Sequence, residues 1–157
     1  MLKSSKIKPF LWFDDQAEAA AKFYTSVFRN SKMGPVTRYP EGGPRPAGMT
    51  MTVEFELEGQ SFVALNGGPE FKFTEAVSFS VGCEDQAEID YYWEKLTADG
   101  GKPVACGWLK DKFGLSWQIV PKAWDAYYKD PERAARVMQA MMKMVKLDIR
   151  ALEEAAR

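Results

Sequence analysis

Asp14-Asp15-Gln16-Ala17-Glu18 and, 70 positions further on, Glu84-Asp85-Gln86-Ala87-Glu88 decide how this chain is organised. Four of the five residues are identical, and each copy stands between a strand-like stretch and a helix-like one. Phe23 of the first copy maps onto Trp93 of the second. An internal repeat is therefore expected, and the punctuation around each copy shows what it contains. Before the first copy, residues 7–13 read as a strand. After it, Ala20, Phe23, Tyr24, Val27 and Phe28 recur at helical spacing. Asp14 or Asp15 is the expected cap, with Glu18 closing a capping box on Asp15. A short strand at 36–39 precedes a loop at 40–48, whose three prolines and three glycines exclude regular structure. Residues 49–57 and 60–66 form a hairpin around Glu58-Gly59, and Gly67-Gly68-Pro69 closes the half.

The second half follows the same order. Residues 76–81 alternate as a strand. Asp85 starts a helix with Ile89, Tyr92, Trp93 and Leu96 on one face, and Gly100-Gly101 ends it. Strands at 103–106, 108–110 and 115–121 complete the unit. Asp15 to Gly59 spans 44 positions and Asp85 to Gly114 spans 29, so the first copy holds 15 more residues. The Pro/Gly loop accounts for the insertion. Beyond the repeat, Asp130 caps a helix with Pro131 at its first position. Val137, Met138, Met141, Met142, Met144 and Val145 give it a broad apolar face, and Leu147-Asp148 starts a last turn with Ile149 and Leu152. That face must cover the chain's own sheet or a second subunit.

The 157 residues suffice for a buried core, and 46% hydrophobic content excludes disorder. Twenty-one basic residues against 22 acidic ones give no electrostatic footprint, so no nucleic-acid partner is expected. The longest apolar run is four residues, so no membrane association is expected and a cytoplasmic location is the default. Two cysteines without a CxxC spacing suggest buried thiols. The absence of histidine removes Ser-His-Asp and Cys-His nucleophiles, HExxH zinc chemistry and the usual base near neutral pH.

Two βαβββ units in tandem are the order of the vicinal oxygen chelate fold. The stretches LWFDDQAEAAAKFYTSVF (11–28), MTVEFELEGQSFVALNGGPEF (51–71) and CGWLKDKFGLSWQIVP (106–121) resemble the PhnB-like branch of the glyoxalase and bleomycin-resistance superfamily, the branch labelled 3-demethylubiquinone-9 3-methyltransferase. The resemblance covers about residues 7–152. It implies an α+β fold in a single glyoxalase-like domain: a first βαβββ unit at 5–68, a second at 74–121, together a curved mixed sheet, and a C-terminal helical extension at 122–157. Metal-dependent members carry ligands on four strands, at positions matching Pro9, Ala64, Ala76 and Gln118, or Phe10 and Leu65 if the register slips by one. Only the Gln118 amide oxygen can ligate, so no metal and no cofactor are expected. No glycine-rich turn joins a strand to a helix, so the Rossmann-type methyl-donor site that the label suggests is not expected either.

Strand parity then divides the residues. Phe10, Trp12, Val53, Phe55, Val63, Leu65, Val77, Phe79, Val81, Trp117 and Ile119 are expected beneath the helices. The cleft face is expected to carry Leu11, Thr52, Glu54 and Asn66 from the first unit. From the second come Ser78, Ser80, Trp108 and Gln118, with Ser116 beside them. Polar groups between aromatic borders suit a small organic ligand, although a sheet face wet on one side alternates in the same way. Glu54 is the candidate catalytic base; the competing reading makes it an exposed strand carboxylate or a partner of Lys110. Lys110, Asp111 and Lys112 either face a ligand anion or form a charged hairpin turn. Three classes stay open: a metal-independent binder of an unknown small molecule, an enzyme of the superfamily or the methyltransferase of the label, and a homodimeric scaffold. A homodimer is the expected assembly.

Overall fold

The computed structural model describes Leu2 and residues 4–157. The chain divides into two compact units, Met1–Lys72 and Phe73–Arg157. The first contains β1 (Phe10–Phe13), α1 (Ala17–Val27), β2 (Ser31–Arg38), β3 (Thr50–Leu57) and β4 (Gln60–Asn66). The second contains β5 (Ser78–Cys83), α2 (Gln86–Thr97), β6 (Lys102–Pro103), β7 (Trp108–Lys110) and β8 (Ser116–Pro121). It continues through α3 (Trp124–Tyr127), α4 (Pro131–Met141) and α5 (Ile149–Ala156). This is the expected α+β class, with one βαβββ order in each unit.

Each unit builds a four-stranded mixed sheet of its own, ordered β1-β4-β3-β2 and β5-β8-β7-β6. In both, the first and last strands pair in parallel and the remaining pairs are antiparallel. The β3–β4 hairpin turns at Glu58 and Gly59, both left-handed at φ 48° and 84°, as a two-residue type I′ turn requires. β2 is longer than the expected 36–39 because pairing resumes on either side of a register break between Met33 and Val36. The break holds Gly34-Pro35, and proline has no N–H to give the ladder. β1 is shorter than the expected 7–13 and starts at Phe10.

Helix α1 buries Ala17, Ala20, Ala21, Tyr24 and Val27, a stripe at helical spacing. Tyr24 stacks on Phe55 with ring centroids 6.0 Å apart, and Phe55 stacks on Phe62 at 5.4 Å. The expected capping box does not form here. The N-cap is Gln16, without a side-chain cap bond, and Glu18 instead accepts from the Thr50 hydroxyl. A distant residue caps the helix: the Ala17 N–H donates to Asn66 Oδ1 at 2.8 Å. The Asn66 Nδ2 donates to the Thr50 carbonyl at 3.1 Å, and its own carbonyl accepts from the Tyr39 hydroxyl at 2.5 Å. In α2 the local cap does form, with Asp85 Oδ1 accepting from the Glu88 N–H at 2.9 Å.

The glycines after Asn66 serve the same corner. The Trp12 indole lies against Gly67, where a Cβ would meet it at 2.4 Å, and its Nε1 donates to the Gly68 carbonyl at 2.9 Å. At the C-terminus, α4 and α5 enclose a small core of Tyr127, Val137, Leu147 and Leu152. Asp130 caps α4, as the sequence predicts, and Asp148, expected only to start the last turn, caps α5. The methionine-rich stretch is not one helix, however: α4 ends at Met141. Its apolar face divides, with Met141 packed on that core and Met138 and Met142 exposed.

Truncating Asn66 leaves the Ala17 N–H and the Thr50 carbonyl buried without partners. Asn66→Ala should therefore lower unfolding stability by about 2–4 kcal/mol, read from denaturant midpoints. Asn66→Asp, which keeps the acceptor for Ala17, should lose less.

Candidate functional site

Pairing register assigns every strand residue to a face. In the first unit, Leu11 lies opposite Ala64, and Ala64 opposite Val53. These three share a face with Phe55, which packs on α1 through Tyr24. Alternate positions point to the helix-free face: Phe10 and Trp12 on β1, Thr52 and Glu54 on β3, Val63 and Leu65 on β4. Thr52 and Glu54 thus share a face, as expected. Leu11 and Asn66 do not join them. Leu11 is 4% exposed on the α1 side, and Asn66 is spent on capping α1. Conversely, Phe10, Trp12, Val63 and Leu65, expected beneath α1, stand on the opposite face.

Glu54 is 35% exposed and forms an ion pair with Lys8 at 3.4 Å, not with Lys110. Lys110 holds Glu75 instead, and that contact lowers the Glu75 carboxyl below its ordinary value. The Thr52 hydroxyl is shared with Thr37 at 2.5 Å. A half-exposed, lysine-paired carboxylate is a surface pair in a setting of this kind, worth at most about 1 kcal/mol.

In the second unit the same reasoning sets Phe79, Val81, Leu109, Trp117 and Ile119 on the α2 side and the polar residues on the other. Two cross-strand rows result. Ser78 lies opposite Ser116, and Ser116 opposite Lys110; Ser80 lies opposite Gln118, and Gln118 opposite Trp108. Gln118 Nε2 donates to Ser78 Oγ at 2.9 Å, linking the rows diagonally. Ser116 is 1% exposed, and its hydroxyl has no hydrogen-bond partner. The arrangement offers hydroxyls and an amide beside an indole, which suits hydroxyl, carbonyl or amide groups on a partly apolar molecule.

Asp111 does not face a ligand. It is 2% exposed, accepts from the Phe113 and Leu115 N–H groups at 2.9 and 3.1 Å, and takes the Trp117 indole N–H at 2.9 Å. The charged GWLKDKFG segment is therefore a hairpin turn organised from within, with Gly114 left-handed at φ 87°. An aspartate three residues before a glycine is the local signal for such a turn.

The four strand positions implied for a metal do not assemble a ligand set. Ala64 is fully buried on the α1 side, and Ala76 precedes β5. Slipping the first-unit positions by one brings Phe10 and Leu65, both hydrocarbon. On β5 and β8 the helix-free face presents Ser78, Ser80, Ser116 and Gln118, all neutral oxygens. Among the described residues, no group of three or more His, Cys, Asp or Glu is placed to hold a metal ion. This donor chemistry does not fit a catalytic divalent cation, which requires anionic or imidazole ligands to offset its dehydration. Both strand-to-helix junctions, Asp14-Asp15-Gln16 and Glu84-Asp85, lack glycine, so neither lets a methyl donor approach the backbone closely. Among the described residues, no helix is long and apolar enough to cross a membrane.

A family model described as 3-demethylubiquinone-9 3-methyltransferase matches residues 5–120, which leaves α3, α4 and α5 outside it. The PhnB protein of Bacillus cereus is 37% identical. The match has a TM-score of 0.66 and covers 74% of this chain and 99% of that one. Protein PA1353 of Pseudomonas aeruginosa is similar at 18% identity and a TM-score of 0.60, covering 75% of this chain and 98% of that one. A glyoxylase/bleomycin resistance protein/dioxygenase domain from Frankia sp. EAN1pec is similar at 16% identity and 0.50, covering 77% and 93%. At those identities the last two speak for the fold alone. No curated protein matches.

The thiols complete the inventory of nucleophiles. Cys83 is 1% exposed, and burial, followed by the charges of Glu88 and Asp85, pushes it from 9.0 to about 12. Such a thiol is inert near neutral pH. At pH 8, iodoacetamide should modify Cys106 in the folded protein and leave Cys83 unmodified until denaturant is added, as peptide mass mapping would show. The raised value has a definite sign in stability. Below pH 9 both states keep the proton; above it the unfolded chain loses the proton first, so the contribution of Cys83 falls as pH rises towards 12.

Proposed function

We propose that this chain, which belongs to the 3-demethylubiquinone-9 3-methyltransferase family in its PhnB-like, glyoxalase/bleomycin-resistance form, binds a small organic molecule on the helix-free face of β5, β8 and β7 without a catalytic metal. The observation that carries this reading is the Ser116 hydroxyl, buried and unpartnered between Ser78 and Lys110. A hydroxyl kept dry without a partner costs about 1–3 kcal/mol; a ligand group that reached it past the partly exposed Ser78 and Gln118 would remove that cost. Gln118 and Ser80 extend the hydrogen-bonding surface, and Trp108 supplies a flat apolar plate at the end of their row.

Several features of the chain support binding over turnover. Three carboxylates that could serve as bases are engaged elsewhere: Asp111 in a turn, Glu54 with Lys8, Glu75 with Lys110. Cys83 is held protonated, and histidine is absent. The ligand class that fits is an uncharged or weakly charged molecule with carbonyl, amide or hydroxyl groups on an aromatic or otherwise flat apolar body. As assembly we propose two copies of the chain, because Met138 and Met142 stay exposed at the C-terminal end of α4. Sedimentation should then give a dimer, and a concentration-independent monomer would contradict it.

Thermal-shift screening of metabolites and aromatic antibiotics finds candidate ligands, and titration calorimetry ranks them. A ligand of this face should bind at least about tenfold more weakly to Trp108→Ala, a loss of about 1.4 kcal/mol. Ser116→Ala should weaken it too, while stabilising the free protein by removing the unpartnered hydroxyl. Ligands that bind both variants as tightly as the wild type would place the site elsewhere.

A further inference from the structure

We propose that residues 142–149, lying beyond the family region, form a strap that sets the position of Trp108, and that Gln86 fastens it. The consequence for ligand affinity rests on the function proposed above; the strap itself does not. Trp108 follows the tip of the β6–β7 hairpin. That tip is a tight turn in which the Trp108 N–H donates to the Ala105 carbonyl at 3.2 Å and the Val104 N–H to the Trp108 carbonyl at 2.8 Å. Its central residues, Cys106 and Gly107, are both left-handed, at φ 62° and 82°. Glycine adopts that conformation freely, but cysteine resists it, so the tip needs support from outside the hairpin.

The strap supplies that support. The Cys106 N–H donates to the Met144 carbonyl at 2.9 Å and the Gly107 N–H to the Val145 carbonyl at 2.8 Å. Leu147 then packs on the bare Cα of Gly107, where a Cβ would lie 2.9 Å from Leu147 Cγ. Leu147 is itself fully buried in the core of the extension. Both N–H groups at the tip and its glycine surface are thus engaged by one short stretch of chain, and the next residue is the indole of the candidate ligand face.

Gln86 holds the strap from the other side. Its Nε2 donates to the Leu147 carbonyl at 3.0 Å, and its Oε1 accepts from the Ile149 N–H at 2.9 Å. One amide therefore grips the chain on both sides of Asp148, the cap of α5. Lys146 adds an ion pair with Asp90 at 2.7 Å. In the first copy of the repeated motif the counterpart, Gln16, caps α1 without a side-chain bond. The second copy thus uses the same glutamine for a contact that has no equivalent in the first.

Fluorine NMR on the full chain labelled with 5-fluorotryptophan tests this without any ligand, with the Trp108 signal assigned by its loss in Trp108→Phe. In Gln86→Ala the Trp108 signal should move, while that of Trp117, tied to Asp111, should not. Amide exchange at Cys106 and Gly107 should accelerate at least about tenfold. Gln86→Glu provides the second reading. Its carboxyl, protonated in acid, offers one donor for the Leu147 carbonyl and one acceptor for the Ile149 N–H, but not the second bond that Gln86 Nε2 gives to Asp90 Oδ1 at 3.1 Å, so Trp108 should return towards its wild-type signal at low pH and move away as the carboxyl ionises beside Asp90. Gln16→Ala should alter neither readout. An unmoved Trp108 signal with unchanged exchange in Gln86→Ala, or a Gln86→Glu spectrum without pH dependence at Trp108, would overturn the proposal. Failure to find a ligand would count against the proposed function alone.

Discussion

The parallel pairing of β5 with β8 is the contact from which the rest of the candidate site follows. It aligns Ser78 with Ser116 and Ser80 with Gln118, and the antiparallel β7 then brings Lys110 and Trp108 alongside. A slip of one residue would exchange this row of hydroxyls and amide for Phe79, Trp117 and Ile119. What prevents the slip is the opposite face: those apolar residues are covered by Ile89, Tyr92 and Leu96 of α2, and turning serines into that layer would bury polar groups without partners. Burial on one side thus fixes the chemistry on the other.

In the first unit the same βαβββ order yields a different surface. The helix-free side of β1 and β4 is apolar, with Phe10, Trp12, Val63 and Leu65, and its polar groups on β3 are already engaged, Glu54 with Lys8 and Thr52 with Thr37. The corner built on Asn66, Gly67 and Gly68 is structural: it caps α1 and seats the Trp12 indole. Asn66-Gly67-Gly68, part of the 51–71 stretch that carries the family resemblance, is therefore explained here by folding requirements. Asp111 plays the corresponding part in the second unit, holding a turn and an indole together.

These differences also explain what could be read from the sequence. The strands β3, β5 and β8 alternate polar with apolar, and for them parity was legible: Thr52, Glu54, Ser78, Ser80 and Gln118 stand on the helix-free face. β1 reads Phe-Leu-Trp-Phe and β4 is apolar from Phe62 to Leu65, so hydrophobicity does not say which set faces α1, and Leu11 and Asn66 lie on the side opposite to the expected one. The cap of α2 lies beside its helix in the sequence and was legible at Asp85. The cap of α1 comes from Asn66, 49 positions away, which no local pattern reveals. The methionine-rich stretch carried helical spacing past Met141, yet the chain turns there to place its carbonyls on the β6–β7 tip, a demand set by a distant hairpin.

The proposed role of the face of Ser78, Ser116, Gln118 and Trp108 is ligand binding without a metal. Native mass spectrometry of protein purified without chelator, after exposure to equimolar nickel, zinc and manganese, tests it most directly. The chain should retain no stoichiometric metal, and any retained organic mass should be released by Trp108→Ala. One equivalent of divalent metal held by the wild type and lost from Gln118→Ala would contradict it.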